Sequence, residues 1–420
     1  MIEQTNKVNY NIPFYERSAR KVIFSLFLMF IPFSQALTIN VLFPLKISEI
    51  FLIILIILEV KTGDFLSWRL SKLTMNLLLL FLFSVFVSVV INIFYKYDYE
   101  LTLSYSRITP TVDTILKFFY VIIAFAGLFV TRNILKDDET LIKYFFIGAS
   151  LSALYAWYLF FSGVLKLPGL LLPGMGEDSQ TYDAGFGETI RSGTFKEGNY
   201  MGFFMLVSAI IAIYYNKGKL SLFYFLSIIT TFSTTAIFCS IVFAVVYFFY
   251  RYKKYKLKLI FIFLSIITVL ILLIQFSPGF QTLFYNKIFG NEDTVENAND
   301  IYSKAERLNT TLVALDIAQN NPFFGVGPAN YGLHYNHYNS MKQFAHDIKH
   351  IPNNIYVEIL SECGAFSLIA FLFFLGSLFN YGGGKSPILR AGLIAAFIYF
   401  FAFPTFTMLF IWVFIGIILI

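Results

Sequence analysis

Hydrophobic positions run through this chain in long blocks, and most of the polar intervals between them are short. A bilayer core needs roughly 20 apolar residues per helix, and on that measure about twelve spans are predicted. They fall at 22–38, 42–60, 73–95, 112–131, 140–162, 198–216, 219–235, 236–250, 257–276, 353–380, 388–403 and 404–420. Pro32, Gln35, Asn40 and Pro44 interrupt the first two. The fold class predicted is all-α and polytopic, with a large outer helical loop between spans 9 and 10. The chain then divides into 1–276 (spans 1–9, with an outer loop at 163–198), 277–352 (the second outer loop) and 353–420 (spans 10–12).

Basic residues set the orientation, because Lys and Arg concentrate on the cytoplasmic side. With the N-terminus inside, Lys61, Arg69 and Lys72 follow span 2, Arg132 and Lys136 span 4, and Lys217 and Lys219 span 6. Arg251, Lys253, Lys254, Lys256 and Lys258 follow span 8, and Lys385 and Arg390 span 10. Adding Lys7, Arg17, Arg20 and Lys21, about 18 of the 31 basic residues face inward. That explains the net charge of +6 without a nucleic-acid partner. Both termini are expected in the cytoplasm. Composition agrees: 58% of the 420 residues are hydrophobic and 13% charged, against roughly 25% charged in a soluble domain. The apolar surroundings of Cys239 and Cys363 argue against a disulfide framework. Arg17, Arg20 and Lys21 precede the first apolar block without a small-residue cleavage pattern, so that block is expected to remain as a span.

The second outer loop holds all four histidines, His334, His337, His346 and His350. Within it, Ser303 to Gln319 reads as an amphipathic helix with Leu308, Leu312 and Leu315 on one face, ended by Asn320, Asn321 and Pro322. Gly325 to Gly332 is too rich in glycine for a regular element and reads as a tight loop passing close to another part of the chain. It is not a G-x-G-x-x-G nucleotide loop, since a helix precedes it instead of a strand. His334 and His337 have the i, i+3 spacing of a metal pair, but no third ligand is suitably spaced and the segment reads as loop. An acid–base role suits the cluster better, since imidazole titrates near neutrality. Plain solvent exposure remains the simpler account of any single histidine. Asp98 and Glu100 have a D-x-E spacing that can hold a divalent cation, but solvation is the simpler account of two carboxylates in a loop. Arg191 and Arg307 stand on the outer side, where the orientation rule gives no reason for a cation. Each is either ion-paired, with Glu188 or Glu306, or a guanidinium fork for a diphosphate. Glu358 and Glu362 share a helix face near Asn354 at the start of span 10, where carboxylates invite a functional reading.

Two segments resemble the O-antigen polymerase and O-antigen ligase family of bacterial polysaccharide assembly. The first is Arg191-Ser192-Gly193-Thr194-Phe195-Lys196-Glu197-Gly198-Asn199, leading into a span. The second joins Arg307, Ala314 to Ile317 and Asn321-Pro322-Phe323-Phe324-Gly325-Val326-Gly327 to Pro352-Asn353-Asn354, Tyr356, Glu358 and Glu362-Cys363-Gly364. The first five spans match only in hydropathy. The resemblance implies a GT-C-like, inverting, metal-independent glycosyltransferase of the bacterial inner membrane, without a cofactor and with its active site facing the periplasm. Its donor and acceptor would be undecaprenyl-diphosphate-linked oligosaccharides, its surroundings membrane lipids, and a chain-length regulator a further partner. Arg191 and Arg307 would engage the diphosphate, and a loop histidine the acceptor hydroxyl. Many members have His-Asn where this chain has Asn353-Asn354, so the histidine role passes to His350 or His346, or is absent. Asn199, Asn330, Tyr331, Asn354 and Glu358 are the expected substrate-binding positions. A polymerase that extends lipid-linked repeats is the leading reading. A ligase acting on lipid A core or another acceptor is the alternative. A lipid or polysaccharide transporter fits less well, because the ionisable residues gather in one outer loop and not at mid-membrane in both halves.

Overall fold

The computed structural model describes residues 14–34, 36–40, 44–63, 65, 70–102, 109–175, 180–183, 188–252, 254, 268, 272, 295–340, 342, 349–381 and 386–420. Among them the chain is almost wholly helical. In order, the helices are α1 (Phe14–Phe30), α2 (Ile47–Thr62), α3 (Lys72–Phe94), α4 (Pro110–Asp137), α5 (Ile142–Val164), α6 (Gly198–Tyr214) and α7 (Gly218–Ser227). They continue with α8 (Thr234–Arg251), α9 (Val295–Asn320), α10 (Tyr331–Tyr338), α11 (Ile355–Tyr381), α12 (Pro387–Tyr399) and α13 (Leu409–Ile418).

Helices dominate because a chain in hydrocarbon must satisfy its own backbone groups. Their starts are marked by hydroxyl caps: Ser71 accepts from Thr74 N–H, Thr109 from Val112 N–H ahead of Pro110, and Ser233 from Ala236 N–H. α3, α4, α5, α8 and α11 are long and apolar enough to cross a membrane; α6, α7, α12 and α13 are shorter and apolar. Helices meet the predicted spans except 257–276, which falls outside the described residues apart from Thr268 and Leu272. The first helix begins earlier than expected and stops at Phe30, because Pro32 cannot donate the next backbone bond.

α11 packs along α3, α12 along α8, α13 along α4, and α1 against α2 and α5. The core runs continuously through these pairs, with Phe81, Phe203, Phe204, Phe374 and Trp412 fully buried. Leu79, Leu80, Phe83 and Phe86 of α3 instead face outward, as side chains do toward lipid. At one end of the bundle Arg20 pairs with Glu59, Lys21 with Asp138 at 2.6 Å, and Arg132 Nε donates to the Leu419 carbonyl at 3.1 Å.

Three expectations change. α9 turns the predicted leucine face outward: Leu308 and Leu312 are 62% and 42% exposed, while Asn309, Thr310, Val313, Ala314 and Ile317 are buried. Small and branched side chains let α9 approach Tyr331 and Val357, and the leucines are left at the surface. The segment around His334 and His337 forms helix α10 and is not a loop. The first outer loop contains an antiparallel hairpin, β3 (Thr181–Asp183) with β4 (Glu188–Ile190), which follows the hairpin of β1 (Ile39–Asn40) and β2 (Pro44–Leu45).

The glycine loop after α9 does pass close to something, namely a break in α11. Gly364 there has φ 84° and ψ 176°, outside helical geometry. The freed groups are taken up by the loop: Val326 N–H donates to Ser361 O at 3.0 Å, Gly327 N–H to Glu362 O at 2.8 Å, and Ala365 N–H to Pro322 O at 2.8 Å. A Cβ at Gly325 would overlap the Glu362 carbonyl, and one at Gly364 the Phe323 carbonyl. Both glycines also have positive φ, so the two halves of the second motif form one interlocked unit.

Candidate active site

The first motif is built into the protein by its central residues. Ser192, Thr194 and Phe195 are completely buried. Thr194 Oγ1 donates to the Pro32 carbonyl at 2.6 Å and meets Ser152 Oγ at 2.7 Å. With that plug in place, Arg191 reaches the start of α6. Its Nε donates to Gln180 Oε1 at 3.2 Å, the same oxygen that accepts from Gly198 N–H at 3.3 Å. Gly198 leaves room for the arginine, since a Cβ there would come within 3.1 Å of Arg191 Cγ. Asn199 is spent on packing: its amide donates to the Ala402 carbonyl, and its Oδ1 accepts from Tyr399 Oη at 2.7 Å and from Ser233 Oγ at 3.2 Å.

Arg307 approaches the same helix start from α9. It is half-buried, lies within electrostatic reach of the Tyr200 and Tyr399 hydroxyls, and forms no ion pair among the described residues. Its sequence neighbour Glu306 turns away from it, toward His350: Glu306 Oε1 stands 3.9 Å from His350 Nδ1. The His350 ring is buried and stacks on Tyr335, with centroids 4.0 Å apart. Tyr335 Oη in turn accepts from Asn309 Nδ2 at 2.7 Å, which ties the histidine back to α9. Arg191 is thus held at the start of α6, while Glu306 and Asn309 bring the turn of α9 that carries Arg307 to His350. His346 lies outside the described residues.

His350 lines a cavity of about 310 Å³ with Lys117, Lys349, Glu358 and Glu362 among its walls. Lys117 Nζ stands 2.7 Å from Glu358 Oε1, and Glu358 Oε2 accepts from Phe406 N–H at 3.2 Å. Lys349 Nζ stands 2.7 Å from Asp113 Oδ2, closing the loop before α11 onto the first turn of α4. Sequence reasoning passed over Lys117. The available signal was a lone lysine inside a predicted span, which needs a partner at that depth.

The other expected binding residues are mostly engaged internally. Asn354 caps α11, its Oδ1 accepting from Tyr356 N–H at 2.9 Å and Val357 N–H at 3.3 Å. Tyr331 Oη donates to the Thr310 carbonyl at 2.7 Å. Asn330 Nδ2 donates to Val326 O at 3.0 Å, leaving its buried Oδ1 without a donor among the described residues. Glu358 reaches the cavity through its ion pair.

His334 and His337 form a separate cluster. The buried His334 has its Nδ1 2.7 Å from Tyr99 Oη, and His337 stacks on the Tyr99 ring at 3.7 Å. Burial, and then the His337 charge, push the His334 pKa down to about 3, so its imidazole is neutral across the physiological range. Burial and the hydrogen bond with Tyr338 raise the Tyr99 phenol well above its usual value. Among the described residues no three His, Cys, Asp or Glu side chains gather as a metal would require. Asp98 and Glu100 are exposed.

A family model described as O-Antigen ligase matches residues 219–372, and no curated protein matches the chain. The matched segment contains Arg307, the glycine loop, His350 and the break at Gly364 that receives the loop. Over residues 219–372, somewhat more than a third of its length, the chain is therefore similar to the O-antigen ligase family.

Proposed function

We propose that this protein is a polysaccharide polymerase, an inverting glycosyltransferase that moves a glycan from an undecaprenyl-diphosphate carrier to a sugar hydroxyl of another lipid-linked repeat. The observation that carries this reading is Arg307, a half-buried guanidinium without an ion pair among the described residues, one residue from the carboxylate that faces His350. A planar, permanently charged fork suits phosphate oxygens. The start of α6, where Arg191 is also held, adds the positive end of a helix dipole.

In the transfer, the acceptor oxygen attacks the anomeric carbon from the face opposite the diphosphate. The new carbon–oxygen bond forms as the bond to phosphate breaks, and the configuration inverts. His350 takes the hydroxyl proton, and undecaprenyl diphosphate departs with the bonding pair. Arg191 and Arg307 act mainly in the transition state, where charge develops on the leaving oxygen, and loss of one such donor costs about 3 kcal/mol. Asp113 and Lys117 stand near the start of α4, and Arg132 and Asp138 at its other end; the basic-residue pattern supports a site on the periplasmic side.

The matching family description favours a ligase as the second reading. Purified protein in lipid, given the lipid-linked repeat alone, separates the two: a polymerase makes a ladder of lengthening products and a ligase makes none. Unchanged ladders from Arg191→Ala and Arg307→Ala at matched protein levels would refute the diphosphate clamp.

A further inference from the structure

The cavity beside His350 contains a group that the proposed transfer leaves unused. Glu362 is 4% exposed and lines this cavity, and its Oε2 receives no hydrogen bond from any described residue. The nearest ammonium, Lys117 Nζ, is 4.0 Å away and already engaged by Glu358 at 2.7 Å. Meanwhile the Glu362 backbone is held firmly, its carbonyl accepting from Ser88 Oγ at 3.1 Å and from Gly327 N–H at 2.8 Å. A buried acceptor on a fixed backbone with no donor is a costly arrangement unless a ligand supplies the donor.

We propose that this cavity is the subsite for the terminal sugar ring of the acceptor, and that Glu362 Oε2 accepts a hydrogen bond from one of its hydroxyls. The inference rests on the transferase reading above, which brings the acceptor to His350. Three features select a neutral sugar ring. Ammonium and carboxylate groups of Lys117, Lys349, Glu358 and Glu362 line the same small space, which suits a ligand carrying both donors and acceptors. An acyl tail would bury those charges without partners, and an anion would meet two carboxylates. The volume of about 310 Å³ is near the lower end of the ~300–1,000 Å³ seen for ligand pockets, room for a ring and not for a long oligosaccharide. Ile351, Pro352 and Pro404 complete the wall with apolar surface for the ring's C–H face.

The test uses the full chain in lipid nanodiscs and two separate probes. Saturation-transfer NMR with the lipid-free repeat-unit oligosaccharide, prepared from the host's own polysaccharide, reads the acceptor subsite. Retention of undecaprenyl diphosphate reads the donor side. Wild-type protein should give saturation transfer concentrated on the terminal sugar. Glu362→Gln turns one oxygen into a donor and should weaken oligosaccharide binding about tenfold while retaining undecaprenyl diphosphate within twofold. Glu362→Asp keeps the charge beside Lys117 and should fall between the two, which separates lost recognition from lost folding. Absence of oligosaccharide binding by the wild type, or equal binding by wild type and both variants, overturns the subsite. Normal retention of undecaprenyl diphosphate by Arg191→Ala and Arg307→Ala overturns the donor reading alone, so the two failures are distinct.

Discussion

Lys117 on α4 and Glu358 on α11 are joined by a 2.7 Å ion pair deep in the protein, with the side chains only 18% and 2% exposed. Removing one member of such a pair strands the other charge in a medium that solvates it poorly. Lys117→Met should therefore destabilise the protein by about 3–5 kcal/mol. The double variant Lys117→Met/Glu358→Gln should recover much of that loss, because no charge is stranded. Thermal unfolding in one detergent checks both, and equal unfolding temperatures for wild type and Lys117→Met would disprove the assignment.

Gly364 serves a different purpose, allowing another segment to enter a helix. Its φ of 84° suits glycine, and the Phe323 carbonyl occupies the space a Cβ would need. Gly364→Ala should cost more than about 2 kcal/mol from backbone strain and overlap together. At Gly376, on the same helix, an added methyl would meet nothing within 4 Å, so alanine should be accepted there without loss. Folded yield by size-exclusion chromatography compares the pair directly.

These two relationships differ in how far the sequence disclosed them. Asn320, Asn321 and Pro322 marked the end of α9, and the glycines after them signalled a close approach, because turn chemistry is local. What the loop approached was not legible, since Gly364 stands inside an apolar run that reads as unbroken helix. Lys117 was visible as a lone lysine inside a predicted span, but its partner Glu358 was not. Hydropathy locates a span but says nothing of which face meets which neighbour. Leu308 and Leu312 misled for a related cause: α9 packs through Asn309, Val313, Ala314 and Ile317, so the face with the largest apolar side chains is not the one that meets the protein. Asn199 and Asn354 belong to motifs that suggest substrate contact, yet their side chains are consumed in bracing α6 and capping α11.

His334 gives a pH dependence. Its folded pKa is lowered to about 3 from the ordinary 6.5, first by burial and then by His337. Between those values the opened segment binds a proton and the folded one does not, so stability rises with pH through this window and is fully present above about 6.5. At pH 4.5 the loss should reach roughly 2–3 kcal/mol relative to neutral pH. Protection factors at α10, which divide out the intrinsic pH dependence of amide exchange, should fall as the pH drops from 6.5 to 4.5 in the wild type. His334→Phe, which cannot be protonated, should flatten that dependence. A slope identical in both proteins would mean that another group is responsible.

Glu306 and His350 supply the last test, because the 3.9 Å between Oε1 and Nδ1 is longer than a hydrogen bond yet short enough to orient an imidazole. If His350 takes the acceptor proton through Nε2, a carboxylate facing Nδ1 steadies the ring and the positive charge it acquires. His350→Ala should then slow transfer by about 10²–10⁴-fold, the usual range for a general base. Glu306→Gln keeps the shape and removes the charge, so its effect should be smaller and should fall on kcat while KM for the lipid-linked repeat stays near the wild-type value. In the double variant Glu306→Gln/His350→Ala the loss should equal that of His350→Ala alone, since Glu306 acts only through the imidazole. Single-turnover rates with the lipid-linked repeat measure all three variants. Multiplicative losses in the double variant would show that Glu306 serves the reaction independently, by holding Arg307 or the donor.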